Sequence, residues 1–376
     1  MKWCLKGFAV ICLLILLPGC GKKEIPAVLT EPSAVETSPQ KPVEVTAAEE
    51  PETRPEENPL EPLERQEING QIQSYLTGEM VPVSQGNRRP IAVMISNDKE
   101  SLPNYGLSQA GVVYEAPVEG DMNRYMALIE NYDSLDRIGS VRSVRTYYIF
   151  FAREFDAICV HYGQSTFAKP YLQYIDDING MEGVGGAAFY RTSDRKAPHN
   201  AYTSFEKIQT AISAYGFRQS YDSEYKGHYL FASKNHPAVF NQPDVMEAYR
   251  VVPGYKMNNP WFEYHEDDGL YYRYQYGKLH EDSQGPLAVK NIIIQYCQSG
   301  YYATTPYLNI NVHTDEWGYY ISEGKAIPIH WSKDGEYGVT HYYDTQGQEI
   351  FLNPGKTWVC VISTKDTART EIHGKE

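Results

Sequence analysis

Pro90-Ile91-Ala92-Val93-Met94-Ile95 is an unbroken apolar run of strand length. A strand with one wet face alternates, whereas a strand buried on both faces does not, so this run predicts a sheet covered on both sides by helices or other layers. Working outward, Val112 to Glu115 and Arg124 to Glu130 read as the next two strands. Ser143 is the expected N-cap of a helix, because Val144, Tyr148, Phe151 and Phe155 repeat at helical spacing. Ala157 to Tyr162 returns as a strand, Gly163-Gln164-Ser165 breaks it, and a helix is expected to run from there to Ile178. Thr203-x-x-Glu206 matches a capping box, Phe205, Ile208, Ile212 and Tyr215 form an apolar stripe, and Gly216 supplies the stop. Strands alternating with helices over residues 88–235 predict an α/β domain.

After residue 250 the period changes to two. Trp261 to Glu266 and Leu270 to Tyr276 flank Asp267-Asp268-Gly269, a hairpin signal, with Tyr272, Tyr274 and Tyr276 expected on one face. Lys290 to Tyr296 and Thr357 to Ile362 are further strands, with turns at Asp334-Gly335 and Gln346-Gly347. Residues 250–364 therefore predict a mainly antiparallel β domain. The 32 tyrosines against 12 phenylalanines suit half-buried strands, and aromatic faces also suit sugar binding.

The N-terminus carries a different message. Lys2 and Lys6 precede an apolar stretch from Phe8 to Leu17, the pattern of a secretory signal and too short to span a bilayer comfortably. Leu17-Pro18-Gly19-Cys20 resembles the bacterial lipobox. That resemblance implies removal of residues 1–19 and acylation of Cys20 by diacylglycerol and palmitate-like chains, which would anchor the protein to membrane lipid on the extracytoplasmic face. Residues 20–87 are rich in Pro, Glu, Thr and Ala and predict a disordered acidic tether. Of the formal charge of −14, residues 22–87 hold −8, as much as residues 88–376. Net acidity argues against nucleic acid as a partner, since a phosphate backbone requires a basic face. Beyond the signal and Cys20, Cys159, Cys297 and Cys360 lie in apolar strand-like runs and read as small buried hydrophobes.

Charged side chains of the first domain gather at element ends. Glu115, Glu119, Asp121 and Arg124 surround a turn; Arg142, Ser143 and Arg145 stand where a loop enters a helix; His161 closes a strand; Arg191, Asp194, Arg195 and His199 share one polar loop. Ligands of open α/β sheets bind outside the carboxyl ends of strands, and arginines there suit a phosphate, pyrophosphate or carboxylate. Surface charge and internal salt bridges produce the same pattern, and a lone histidine such as His161 is more often a satisfied core residue than a ligand. Gly355-Lys356-Thr357 looks like the end of a phosphate-binding loop, but Ile350 stands where that loop needs glycine, and no strand-to-helix context follows.

Several of these stretches, in this order, resemble the YerB-like bacterial lipoproteins, a two-part family of unknown function. They are Arg89–Ile95, Gly106-Leu107-Ser108, Glu119–Arg124, Gly139–Arg145, His161–Ser165, Ala197–Asn200 and Gly355–Trp358. Asp121 and Asn123 depart from the Gly and Thr that the family often shows before the arginine matched by Arg124. The resemblance implies location and a two-part division, and no reaction; the first expectation is a non-catalytic lipoprotein binding a cell-wall glycan or envelope protein. A second similarity in order, to LytR-CpsA-Psr enzymes, rests on the arginine-led strand, the Ser/Arg run at 140–145 and the Arg/Asp-rich loop before a helix. It implies a transferase or hydrolase on phosphate-containing envelope substrates, with the arginines on phosphate, a divalent cation nearby, and Asp121 or Glu119 as metal ligand or base. The Asp that should follow the arginine is Thr146 here.

Overall fold

The computed structural model describes residues 65–233, 238, 240 and 242–375. The signal segment, Cys20 and most of the expected tether lie outside the described residues. Strand β1 (Ile91–Ser96) is fully buried, as its apolar run predicts. It is followed by β2 (Val112–Pro117) and β3 (Asn123–Ile129), helix α1 (Thr146–Arg153), strands β4 (Ile158–His161) and β5 (Asp177–Asn179), and helix α2 (Phe205–Tyr215). The second half adds the hairpin β6 (Trp261–His265) and β7 (Leu270–Gln275), then β8 (Asn291–Cys297), β9 (Glu316–Ser322), β10 (Lys325–Lys333) and β11 (Thr357–Ser363).

One eleven-stranded sheet runs through both halves, in the order β10-β9-β8-β11-β2-β3-β1-β4-β5 with short strands added at and beside β10. The halves join where β11 lies parallel to β2, Thr357 opposite Val112. Strands β1 and β4 are parallel, as are β4 and β5, while β3 runs against both β1 and β2. The second half is mostly antiparallel, with β8 and β11 as a parallel pair.

The sheet is covered on both faces. Ile91, Val93 and Ile95 pack with Ile208 and Ile212 of α2 and with Phe262 and Tyr271 of a six-stranded sheet built on the β6–β7 hairpin. Ala92 and Met94 pack on the opposite side with Tyr148, Phe151 and Phe155. Cys159, Cys297 and Cys360 are free and buried, and burial pushes each thiol up, which keeps it an inert hydrophobe.

Five local expectations change. Residues 65–87 are folded rather than part of the tether: Ile68 and Gln71 exchange backbone hydrogen bonds around Asn69-Gly70, both at positive φ, and Leu76 is fully buried. Asn-Gly is the two-residue turn that matches strand twist, and it marks where the acidic composition ends. The helix expected up to Ile178 is a 3₁₀ turn, Lys169–Tyr174, followed by β5, because parallel pairing along β4 captures Asp177–Asn179. Helix α1 starts at Thr146, and Ser143 does not cap it; the Ser143 hydroxyl donates to the Tyr162 carbonyl at 3.0 Å. Helix α2 is capped by Ser204, which accepts from Lys207 N–H, while the Thr203 hydroxyl donates to Ala188 O; Gly216 ends it in the left-handed conformation as expected. Tyr272 and Tyr274 do share the half-exposed face of β7, but the chain turns at Tyr276 (φ 51°) and takes that ring elsewhere.

Candidate functional site at the strand ends

The parallel strands β1, β2 and β4 end on one side of the sheet, and β3 starts there, with Arg124 as its second residue. Residues 141–144 run across these ends as extended chain: Arg142 N–H donates to Met94 O, and Val144 N–H to Gly163 O. This threading turns the expected first helical turn into a bridge between β1 and the loop after β4. It also brings three guanidinium groups together.

Arg124 is buried at the base of the group, and its Nη1 donates to the Ser143 carbonyl at 2.6 Å. Burial, then Arg145 and Arg142, lower its pKa to about 10, so it stays charged at neutral pH but against repulsion. Arg145 has a full partner, forming a two-pronged pair with Glu119 (Nε–Oε1 2.9 Å, Nη2–Oε2 2.5 Å). Burial pushes the Glu119 carboxyl up, but the Arg145 contacts outweigh it and its pKa falls below the ordinary range. Glu119 Oε1 also accepts from Leu308 N–H at 3.3 Å. Arg142 is the least satisfied of the three: burial lowers its pKa, Asp98 lies at 4.0 Å, and its Nη1 is buried without a hydrogen-bond partner.

Asp98, just past the end of β1, is a hub that no local motif marks out. Its Oδ2 accepts from the Ser96 hydroxyl at 2.6 Å and lies 3.3 Å from His199 Nδ1. Tyr276 of the second half reaches in, donating to Asn97 O at 3.2 Å. On the other flank, the Arg145 guanidinium lies 5.6 Å over the Tyr307 ring, Tyr302 donates to the Thr146 hydroxyl, and Phe167 stacks on Tyr302 at 3.8 Å. Nothing local in the sequence ties Tyr302 and Tyr307 to Arg145.

The remaining expected residues lie elsewhere or are spent. Asp121 turns outward, 62% exposed, toward Lys256 at 3.4 Å. His161 is fully buried between Asp177 Oδ2 and Gly163 O, a satisfied core histidine. Arg191 bonds Asn200 Oδ1 at 2.6 Å and lies over Tyr162. Arg195 pins the loop after β1 through Ser101 O, Pro103 O and the Tyr202 hydroxyl. Among the described residues no three His, Cys, Asp or Glu side chains come together as a metal-holding group.

A second charged region stitches the two halves, and it draws Glu115 away from the turn where the sequence groups it with Glu119. Glu115 on β2 receives Arg273 of β7 through both oxygens (3.0 and 2.9 Å), and also Asn123, Asn258 and the Trp358 indole. Arg273 Nη1 continues to His280 Nδ1 at 2.7 Å, and His280 Nε2 contacts Asn104 Oδ1. Further along, Glu154 holds Lys333, Thr340 and His228.

Comparison with known proteins agrees with the two-part reading. Residues 76–218 match the "Protein of unknown function (DUF3048) N-terminal domain" and residues 251–359 the corresponding C-terminal domain. The chain is 30% identical over 308 residues to a Bacillus subtilis (strain 168) protein described as "Putative lipoprotein YerB", covering 79% of this chain and 88% of that one. The crystal structure of YerB protein from Bacillus subtilis superposes with a TM-score of 0.70 at 28% identity, over 80% of this chain and 99% of that one. No helix among the described residues is long and apolar enough to cross a membrane. With both domains matched in order and a relative at this identity over most of its length, the chain belongs to the YerB-like DUF3048 family.

Proposed function

We propose that the chain is a lipoprotein anchored through Cys20 on the extracytoplasmic face of the cell membrane, and that it binds an anionic cell-envelope glycan at the ends of β1, β2 and β4. The observation that carries the binding reading is the grouping of Arg124, Arg142 and Arg145 around one fully engaged carboxylate, Glu119, with Asp98 at the longer distance of 4.0 Å from Arg142. Like charges held together against burial favour an incoming anion, because its arrival relieves their repulsion. The neighbouring Tyr302–Phe167 stack offers the aromatic face on which a sugar ring rests. The anchor reading is supported by the Phe8–Leu17 apolar run, by Cys20 in its lipobox-like setting, and by the description of the Bacillus relative. The phosphate-handling enzyme gains nothing from the two carboxylates first considered for it: Glu119 is engaged by Arg145, and Asp121 points to Lys256.

The test is thermal denaturation with added pyrophosphate. The melting temperature of the wild type rises with pyrophosphate, the rise shrinks as salt is added, and Arg142→Ala abolishes it. A wild type that ignores pyrophosphate at low salt overturns the anion site. For the anchor, Cys20→Ser expressed in a bacterial host moves the protein from the membrane fraction to the soluble one; retention in the membrane overturns that part.

A further inference from the structure

Away from the arginines, a crevice of about 430 Å³ opens at the seam between the two halves, within the usual size of a small-molecule site. Leu107 and Val113 line it from the first half; Leu270, Leu287 and Val289 line it from the second, with Trp358 at its floor. Lys356, from the run that imitates a phosphate-binding loop, reaches this crevice by a different route. Gly355 sits at φ 140°, and a Cβ there would meet the Lys290 side chain at 2.5 Å, so glycine lets the chain pass Lys290 closely. The next residue, Lys356, is then half-buried in the crevice wall, where its Nζ donates to Ser108 O at 2.5 Å. No carboxylate among the described residues lies within ion-pair distance of it; burial lowers its pKa, against the opposing pull of the more distant Glu79 and Asp282 charges. The other charges at the crevice are differently placed. Lys290 is paired with Glu323; Asp268 accepts from Leu270 N–H and the Tyr272 hydroxyl; Glu79 is exposed to water.

We infer that this crevice is a binding site for an organic anion with an apolar body, its carboxylate held by Lys356 and its body against Leu107, Val113, Leu287 and Val289. An ammonium has three N–H donors, and Ser108 takes one. A carboxylate placed against the others neutralises the half-buried Lys356 charge beside the apolar wall of the crevice, and a charge-assisted hydrogen bond is stronger there than in water. The inference is independent of the arginine site and stands or falls without it.

The experiment is calorimetric titration of the folded chain with decanoate and, separately, with its neutral analogue decanamide. Decanoate binds saturably, and decanamide binds at least about tenfold more weakly, the size expected for loss of a charge-assisted hydrogen bond. Lys356→Met weakens decanoate by the same factor, and Ala288→Trp, which fills the crevice, removes binding of both. No saturable binding of decanoate overturns the site. Equal binding of decanoate and decanamide overturns the role of Lys356, even where Lys356→Met fails to fold. Unchanged affinity in Ala288→Trp places the ligand elsewhere and overturns the crevice.

Discussion

Glu115 with Arg273, and Glu119 with Arg145, are the same chemistry in two settings. Each is an arginine gripping a glutamate through two oxygens. Around Glu115 the neighbours complete the carboxylate: two asparagine amides and an indole bring further donors, and the Arg273 guanidinium passes a hydrogen bond on to His280, leaving only its buried Nε without a partner among the described residues. Burial opposes the Arg273 charge, and Glu115 outweighs it, so its pKa is raised. Beside the Glu119–Arg145 pair, Arg145 is flanked by two more arginines, one with its pKa pressed down to about 10. A closed network of this kind holds halves of a chain together; an open one, with positive charge left over, has something still to bind. The difference lies in the surroundings of the pair and not in the pair.

The comparison breaks most visibly at Glu115. Glu115→Gln keeps the shape and leaves Arg273 charged in the core, which costs about 3–5 kcal/mol of stability in urea denaturation. Replacing both, as Glu115→Leu with Arg273→Met, recovers part of this loss, because two desolvated charges leave together. Recovery is incomplete, since Asn123, Asn258 and Trp358 lose their acceptor. A loss under 1 kcal/mol in the single variant contradicts the view of this region as the seam's fastening.

Acid sharpens the same contrast. Burial lowers the His228 pKa to about 4, and burial together with Arg273 takes His280 well below its ordinary value. In the unfolded chain both titrate near 6.5, so between about 6.5 and 4 the unfolded state binds more protons. Stability is therefore complete above about pH 6.5 and falls as pH drops through this window. His228 alone accounts for up to about 3 kcal/mol at its lower end. His228→Gln flattens the fall in melting temperature between pH 7 and 4, and a slope unchanged from wild type counts against a neutral buried imidazole.

At the arginines the expectation reverses. Arg142→Ala changes stability by less than about 1 kcal/mol, since the one acid near it among the described residues stands at 4.0 Å, yet it removes the response to pyrophosphate. A large loss of stability with binding intact makes the two regions alike and refutes the distinction.

How much of this was legible follows from what each residue depends on. The β1 run announces itself because burial on both faces removes alternation, and α2 because Gly216 stops it by a local conformation. Arg124, Arg142 and Arg145 were found through their place at element ends, which is a property of the chain. Their outcome was not, because it turns on Glu119 and Asp98 in three dimensions. Glu115 and Arg273 stand 158 residues apart, and neither sits in a motif, so their pairing leaves no local trace. The helix expected before Ile178 failed for the same reason: its competitor was a strand pairing with β4. Arg191 and Arg195 resemble the site arginines in sequence, but Asn200 and the backbone after β1 consume them.

The smallest expected effect is at Asp121, beside Arg124 on the same turn in sequence yet facing away from the cluster. It is well exposed, and its contact to Lys256 at 3.4 Å is a solvent-facing pair that Asp366 shares at 3.3 Å. Its backbone is left-handed (φ 58°), a conformation asparagine also tolerates, so Asp121→Asn removes charge without disturbing the turn. Stability changes by less than about 1 kcal/mol, as for other exposed pairs. Pyrophosphate affinity stays level or rises slightly, because one negative charge has left the protein. A marked drop in affinity instead would put Asp121 in the site, as base or metal ligand, and would return the enzyme reading to the arginine cluster.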